Sequence, residues 1–180
     1  MRSRCAATTR RLAPEPGVVE PIASRPFMPG YGIGAASEGS GLLPWSWAAD
    51  RLTSSHDYWL ATVWPDGRPH VMPVWGVWHD NQLWFSSSGA SRKTRNLAGE
   101  PRCAATTDDA LAPVVVEGRA ARDQEPGSLA TFTRLVNEKY GTDYGVDFFA
   151  GNACLRLRPS RVFALSTEDF TGSPTRWVFA

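Results

Sequence analysis

One hundred and eighty residues with 42% apolar side chains suffice for one domain with a packed core. Nineteen Lys and Arg against eighteen Asp and Glu give a formal charge of +1, so neither nucleic acid nor an anionic membrane is an expected partner. Cys5, Cys103 and Cys154 show no CxxC spacing, which disfavours a metal site or a disulfide framework, and no apolar run nears the ~20 residues of a membrane span; a reducing, cytoplasmic setting is expected.

From residue 1 to 41 the chain shows neither a helical nor a strand period, and Arg, Pro, Gly, Ala and Ser dominate. Such a segment is expected to be a flexible entry to a domain spanning 42–180. Met28 lies inside it and offers an alternative start to Met1. Gly30, Gly32 and Gly34 form a GxGxG run, but no strand precedes it, so it lacks the context of a dinucleotide loop.

Pro44 suits the first turn of a short helix carrying Trp45, Ala48 and Leu52 on one face. Asp57 to Trp64 reads as a strand, Pro65-Asp66-Gly67 as a turn, and His70 to Trp78 as the next strand. His79-Asp80-Asn81 turns the chain into Gln82 to Ser87, completing a meander that holds five of the eight tryptophans. After a helix opening at Ser91, Arg102 to Thr107 and Pro113 to Ala121 read as a strand pair. Gly127 to Tyr140 reads as a helix with Leu129, Phe132, Val136 and Tyr140 on one face. Ala153 to Ser166 and Thr175 to Phe179 complete the strands. The expected fold is mainly β: a six- to seven-stranded antiparallel barrel with small helices.

Two segments carry chemical information. The strand from His70 to Trp78 is apolar on both faces, with Met72, Val74 and Gly76 on one and Val71, Pro73, Trp75 and Val77 on the other. One face can fill a barrel, and the other must meet a helix, a subunit or a ligand. Pro73 lacks an N–H and is expected at an edge or bulge. The second segment is Ser86-Ser87-Ser88-Gly89-Ala90-Ser91-Arg92-Lys93. Ser91 is a good N-cap, yet Arg92 and Lys93 occupy a first turn where the helix dipole favours acids. A bound phosphate would resolve that conflict.

These residues carry a resemblance. Asp66-Gly67-Arg68-Pro69-His70, Trp84-Phe85 leading into Ser91-Arg92-Lys93, and Val114-Val115-Val116-Glu117-Gly118 resemble the pyridoxamine 5'-phosphate oxidase-like split barrel over about Leu42 to Phe179. Within it the chain is most similar to actinobacterial flavin/deazaflavin oxidoreductases, which share a Trp-rich first meander and a Thr-Arg-Trp like Thr175-Arg176-Trp177. The resemblance implies a homodimer with FMN or the deazaflavin F420 at the subunit interface, F420 being favoured by the Trp-rich likeness. Arg92 and Lys93 would hold the phosphate, Val74 and Trp75 the ring, and Ser86, Ser87 and Ser91 further parts of the cofactor. Met72 and Val77 stand where pyridoxamine phosphate oxidases carry Arg and Lys, which argues against that substrate.

No metal site and no side-chain machinery for acid–base or nucleophilic catalysis stands out, as suits chemistry carried by a cofactor. The expected activity is hydride transfer to a small unsaturated or quinone-like substrate in a pocket lined by Trp75 and Trp78. The competing readings are a non-catalytic flavin carrier or sensor, and a heme protein ligated through His56 or His70. All five tryptophans of the meander are expected at the dimeric cofactor surface.

Overall fold

The computed structural model describes residues 20–180. The elements in chain order are β1 (Ile22–Ser24), α1 (Trp45–Ser54), β2 (Asp57–Val63), β3 (Pro69–His79), β4 (Gln82–Ser87), α2 (Arg92–Gly99), β5 (Arg102–Thr107), β6 (Val114–Arg122), α3 (Pro126–Tyr140), α4 (Val146–Ala150), β7 (Ala153–Ala164) and β8 (Thr175–Val178). Six strands run antiparallel in the order β7-β4-β3-β2-β5-β6, and pairing of β6 with β7 closes them into a barrel. β8 and then β1 extend the sheet beyond β7.

Local chemistry sets the hairpins. Gly67 takes a φ of +88° and its N–H donates to the Trp64 carbonyl, closing the Pro65-Asp66 turn between β2 and β3. Asp80 and Asn81 both adopt the left-handed region, the geometry that joins β3 to β4 through a two-residue turn. β7 serves three neighbours because it is twelve residues long, pairing first with β4 and later with β8, with β6 along most of its length. A bulge at Glu117/Gly118 bends the β6–β7 seam. Gly118 is obligatory there, because a Cβ would overlap the Arg158 carbonyl.

The barrel interior is filled by Tyr58, Leu60, Leu83, Phe85, Val114, Val116, Leu157 and Val162. α1 plugs one end with Trp45, Ala48 and Leu52, as its spacing predicts. A second cluster lies outside the barrel, where Leu129, Phe132 and Val136 of α3 cover Val77, Trp84 and Cys154 with Phe149 of α4.

One part of the segment expected to be flexible is ordered by distant contacts. β1 pairs with β8, and the Arg25 guanidinium donates to the carbonyls of Ala35, Glu38, Gly172 and Pro174. A three-residue strand has no period to read, and its partners lie some 150 positions away in the chain. Residues 1–19, including Cys5 and nearly half of the expected flexible entry, lie outside the described residues.

Candidate functional site

β3 is where the barrel opens. From Pro69 to Trp75 it pairs with β2, and only from Gly76 to His79 does it pair with β4. The edge before Gly76 therefore faces no strand among the described residues, which accommodates Pro73 as its missing N–H requires. The two-sided apolar pattern now divides. Val77 lies under α3, Val74 and Gly76 point into the barrel, and Val71, Met72, Pro73 and Trp75 are exposed. Trp59 and Val63 of β2 extend that exposed apolar surface.

Beside this edge is a cleft of about 340 Å³. Pro73, Val74 and Trp75 form one wall, Ser86, Ser87, Ser88 and Lys93 another, and Phe132, Val136, Tyr144, Phe148, Phe149 and Asn152 the third. Its polar end is assembled by the start of α2. Ser91 caps the helix by accepting from the Thr94 N–H at 3.3 Å, as its position predicts, and also accepts from Ser87 Oγ at 3.0 Å. Lys93 Nζ donates to Ser87 Oγ at 3.2 Å. α2 itself is fixed by buried Leu97 and by Asn96, whose amide donates to Thr62 on β2 at 3.1 Å. Among the described residues no carboxylate lines the cleft, so the Lys93 ammonium and the dipole of α2 make this end positive.

The opposite end is aromatic. Trp75 stacks on Tyr140 with centroids 4.3 Å apart and planes 5° from parallel. Tyr144 stacks on Phe148 at 4.5 Å, and Phe149 meets Phe132 edge-on at 5.0 Å. Asn137 fixes the loop that presents Tyr144: its amide donates to the Tyr144 carbonyl, and its Oδ1 accepts from the Tyr144 N–H, both at 3.0 Å. Sequence reading placed Phe132 and Val136 on a buried helix face but missed Tyr144, Phe148, Phe149 and Asn152. α4 has five residues, too few for a helical period.

Of the residues expected around a cofactor, Val74, Trp75, Ser86, Ser87 and Lys93 meet in this cleft, and Ser91 buttresses it from one bond away. Arg92 does not join them. Its guanidinium lies 3.7 Å from the Trp64 ring centroid, and Arg68 approaches the same ring at 4.4 Å. Trp78, expected with Trp75 in a substrate pocket, does not line the cleft either. β3 is already paired with β4 at that point, and Trp78 packs 6.3 Å from Trp45 at the barrel end. The five tryptophans of the meander lie in different surroundings. Trp75 alone among them lines the cleft: Trp59 is exposed, Trp64 carries two arginines, and Trp84 is buried with Arg156 over its ring at 3.6 Å. The histidines are engaged elsewhere, His56 with Asp57, His70 with Thr62 and His79 against Trp84.

The sequence model of the family described as "Pyridoxamine 5'-phosphate oxidase" matches residues 48–174. The chain belongs to that family. No curated protein matches it. Among solved structures, this pyridoxamine 5'-phosphate oxidase-like split barrel is similar to a conserved hypothetical protein of Mycobacterium tuberculosis, at 27% identity and a TM-score of 0.64, covering 69% of this chain and 86% of that one. It shares its fold with a protein titled F420 reductase, at 24% identity and a TM-score of 0.51, covering 63% and 93%. It also shares it with a heme binding protein from Mycobacterium smegmatis, at 22% identity and a TM-score of 0.54, covering 73% and 61%. Within the described residues no helix is long and apolar enough to cross a membrane.

Proposed function

We propose that the cleft binds a phosphorylated flavin or deazaflavin, FMN or F420, and that the protein is an oxidoreductase acting on a small unsaturated or quinone-like molecule. One observation carries the reading: a single cleft joins a cationic end, built by Lys93 and three serines just before a helix start, to an aromatic end beside a strand edge that pairs with no other strand among the described residues. The donor set fits such a group. An anion needs the ammonium, the hydroxyls and the dipole, and a flat heteroaromatic ring needs an apolar wall with backbone groups within reach.

Lys93 with Ser86, Ser87 and Ser88 would hold the phosphate, and Ser91 would keep Ser87 aimed at it. Arg92 would join them only by leaving the Trp64 ring. Val74 and Trp75 would support the ring, while Tyr144 and Phe148 exclude water from its far side. The bound cofactor would supply two-electron redox chemistry. FMN and F420 share a phosphate and a tricyclic ring and meet the same residues, and the likeness of the Trp-rich meander ranks F420 first.

A second copy of the chain would cover Trp59, Val63, Val71 and Met72, an apolar surface that water penalises. A heme held by an axial histidine finds no histidine in the cleft. The test is a separate fluorescence titration with FMN and with F420, followed by turnover with a quinone acceptor. Binding of either with turnover supports the reading, binding without turnover leaves a carrier or sensor, and binding of neither overturns it.

A further inference from the structure

The place where β3 changes partner is held open by a side chain. Asp57 faces Trp75 across the β2–β3 ladder, so His56 would face Gly76 one step further on. No direct bond closes that step. The Gly76 N–H donates to Tyr140 Oη at 2.8 Å, and the Tyr140 hydroxyl donates to the His56 carbonyl at 2.6 Å. A phenol thus stands between the two strands. The Gly76 carbonyl accepts from Lys139 Nζ at 2.7 Å, so the last two residues of α3 satisfy both backbone groups of Gly76.

Position 76 has no room for a side chain, since a Cβ there would meet Leu83 Cδ1 and the Trp84 carbonyl at 3.0 Å. The Tyr140 ring that carries the wedging hydroxyl is the one lying flat on Trp75. Trp75 in turn is a wall of the cleft. α3 is independently anchored by Leu129, Phe132 and Val136, so neither terminal residue is needed merely to dock the helix.

We propose that Tyr140, assisted by Lys139, is a positioning residue. Its hydroxyl parts β2 from β3 at Gly76, and its ring sets the plane of Trp75 against which the flat ring of a cleft ligand is held. The ligand's identity rests on the cofactor reading above, whereas the wedge is a property of the protein alone.

The test compares Tyr140→Phe, which keeps the ring and loses the hydroxyl, with Tyr140→Leu, which loses both. Amide hydrogen exchange and near-ultraviolet circular dichroism are read on the full chain, together with titration by FMN and F420. Tyr140→Phe should speed exchange at Gly76 by about tenfold while leaving the Trp75–Tyr140 dichroism in place. Tyr140→Leu should abolish that dichroism, lower cofactor affinity by about tenfold or more, and change the bound cofactor's visible spectrum. Restoration of affinity by Phe relative to Leu identifies the stack as the working element.

Unchanged Gly76 exchange in Tyr140→Phe overturns the wedge. Unchanged affinity and spectrum in Tyr140→Leu, with only a lower Tm, overturns the positioning role. If the unaltered protein binds neither FMN nor F420, the cofactor reading fails and the ligand half of the proposal falls with it, while Gly76 exchange still decides the wedge. Lys139→Met serves as the second variant, expected to speed exchange near Gly76 without altering the Trp75 stack.

Discussion

Replacing Lys93 with Met removes the ammonium from the cleft's polar end while keeping a stem of similar length. A charge-assisted hydrogen bond to an anion contributes about 1.5–3 kcal/mol, so Kd for the cofactor should rise about ten- to a hundredfold. Stability should move the other way. Ser87 keeps its bond to Ser91, so no hydroxyl is orphaned, and removing a cation from the first turn of α2 relieves about 0.3–1 kcal/mol of dipole repulsion. Fluorescence titration and thermal unfolding of the same preparation separate the two effects. Arg92→Ala provides the contrast: Arg92 is stacked on Trp64 outside the cleft and should weaken binding less than Lys93→Met does. Unchanged affinity in Lys93→Met refutes the phosphate assignment. A larger loss in Arg92→Ala shows that the guanidinium leaves Trp64 on binding.

Other consequences are equally direct. Gly118→Ala forces a methyl into the Arg158 carbonyl at the β6–β7 bulge and should cost about 3 kcal/mol, lowering Tm by roughly 6–12 °C; an unshifted melting curve contradicts the packing there. Ser91→Ala removes the cap of α2 and should cost about 1 kcal/mol, read by chemical denaturation, and it should also weaken cofactor binding by freeing Ser87. Burial lowers the Lys139 ammonium to about 8 from its ordinary 10.5, so between those values the unfolded chain binds more protons and stability should rise with pH. Burial also pushes the Tyr140 hydroxyl up to about 12 from 10, so the folded chain binds more protons above 10 and stability should fall there. Relative to Lys139→Met, the unaltered chain should therefore gain stability from pH 8 to about 10.5, read as a growing difference between their denaturation midpoints; a constant difference contradicts the burial of Lys139.

The parts of the fold legible in the sequence are those fixed by neighbouring residues. β4 and β5 fall at the expected bounds because Asp80-Asn81 sets a turn before one and the helix at Ser91 leads into the other. β1 and α4 were illegible for a different reason. One is three residues beside Arg25, which binds a distant loop, and the other is a single turn packed on Phe132 through Phe149. The candidate site divides along the same line. Lys93, the serines, Val74 and Trp75 belong to contiguous patterns, a misplaced charge and a doubly apolar strand, and each pattern implied an unmet partner. Trp78 and Arg92 belong to those patterns too, but tertiary packing turned them away, one to Trp45 and the other to Trp64. Tyr140 was visible as a face of α3, yet its hydroxyl acts between β2 and β3, a relation no linear spacing encodes.

The central claim is that a phosphorylated flavin or deazaflavin occupies the cleft between the open edge of β3, the start of α2 and the aromatics of α4. Amide hydrogen exchange of the full chain, with and without saturating F420 or FMN, tests it most directly. Protection confined to residues 73–75, 86–95 and 142–152, together with any surface buried between copies, is the result expected. Protection absent from these segments, or concentrated on the loops 25–41 and 166–174, would contradict it.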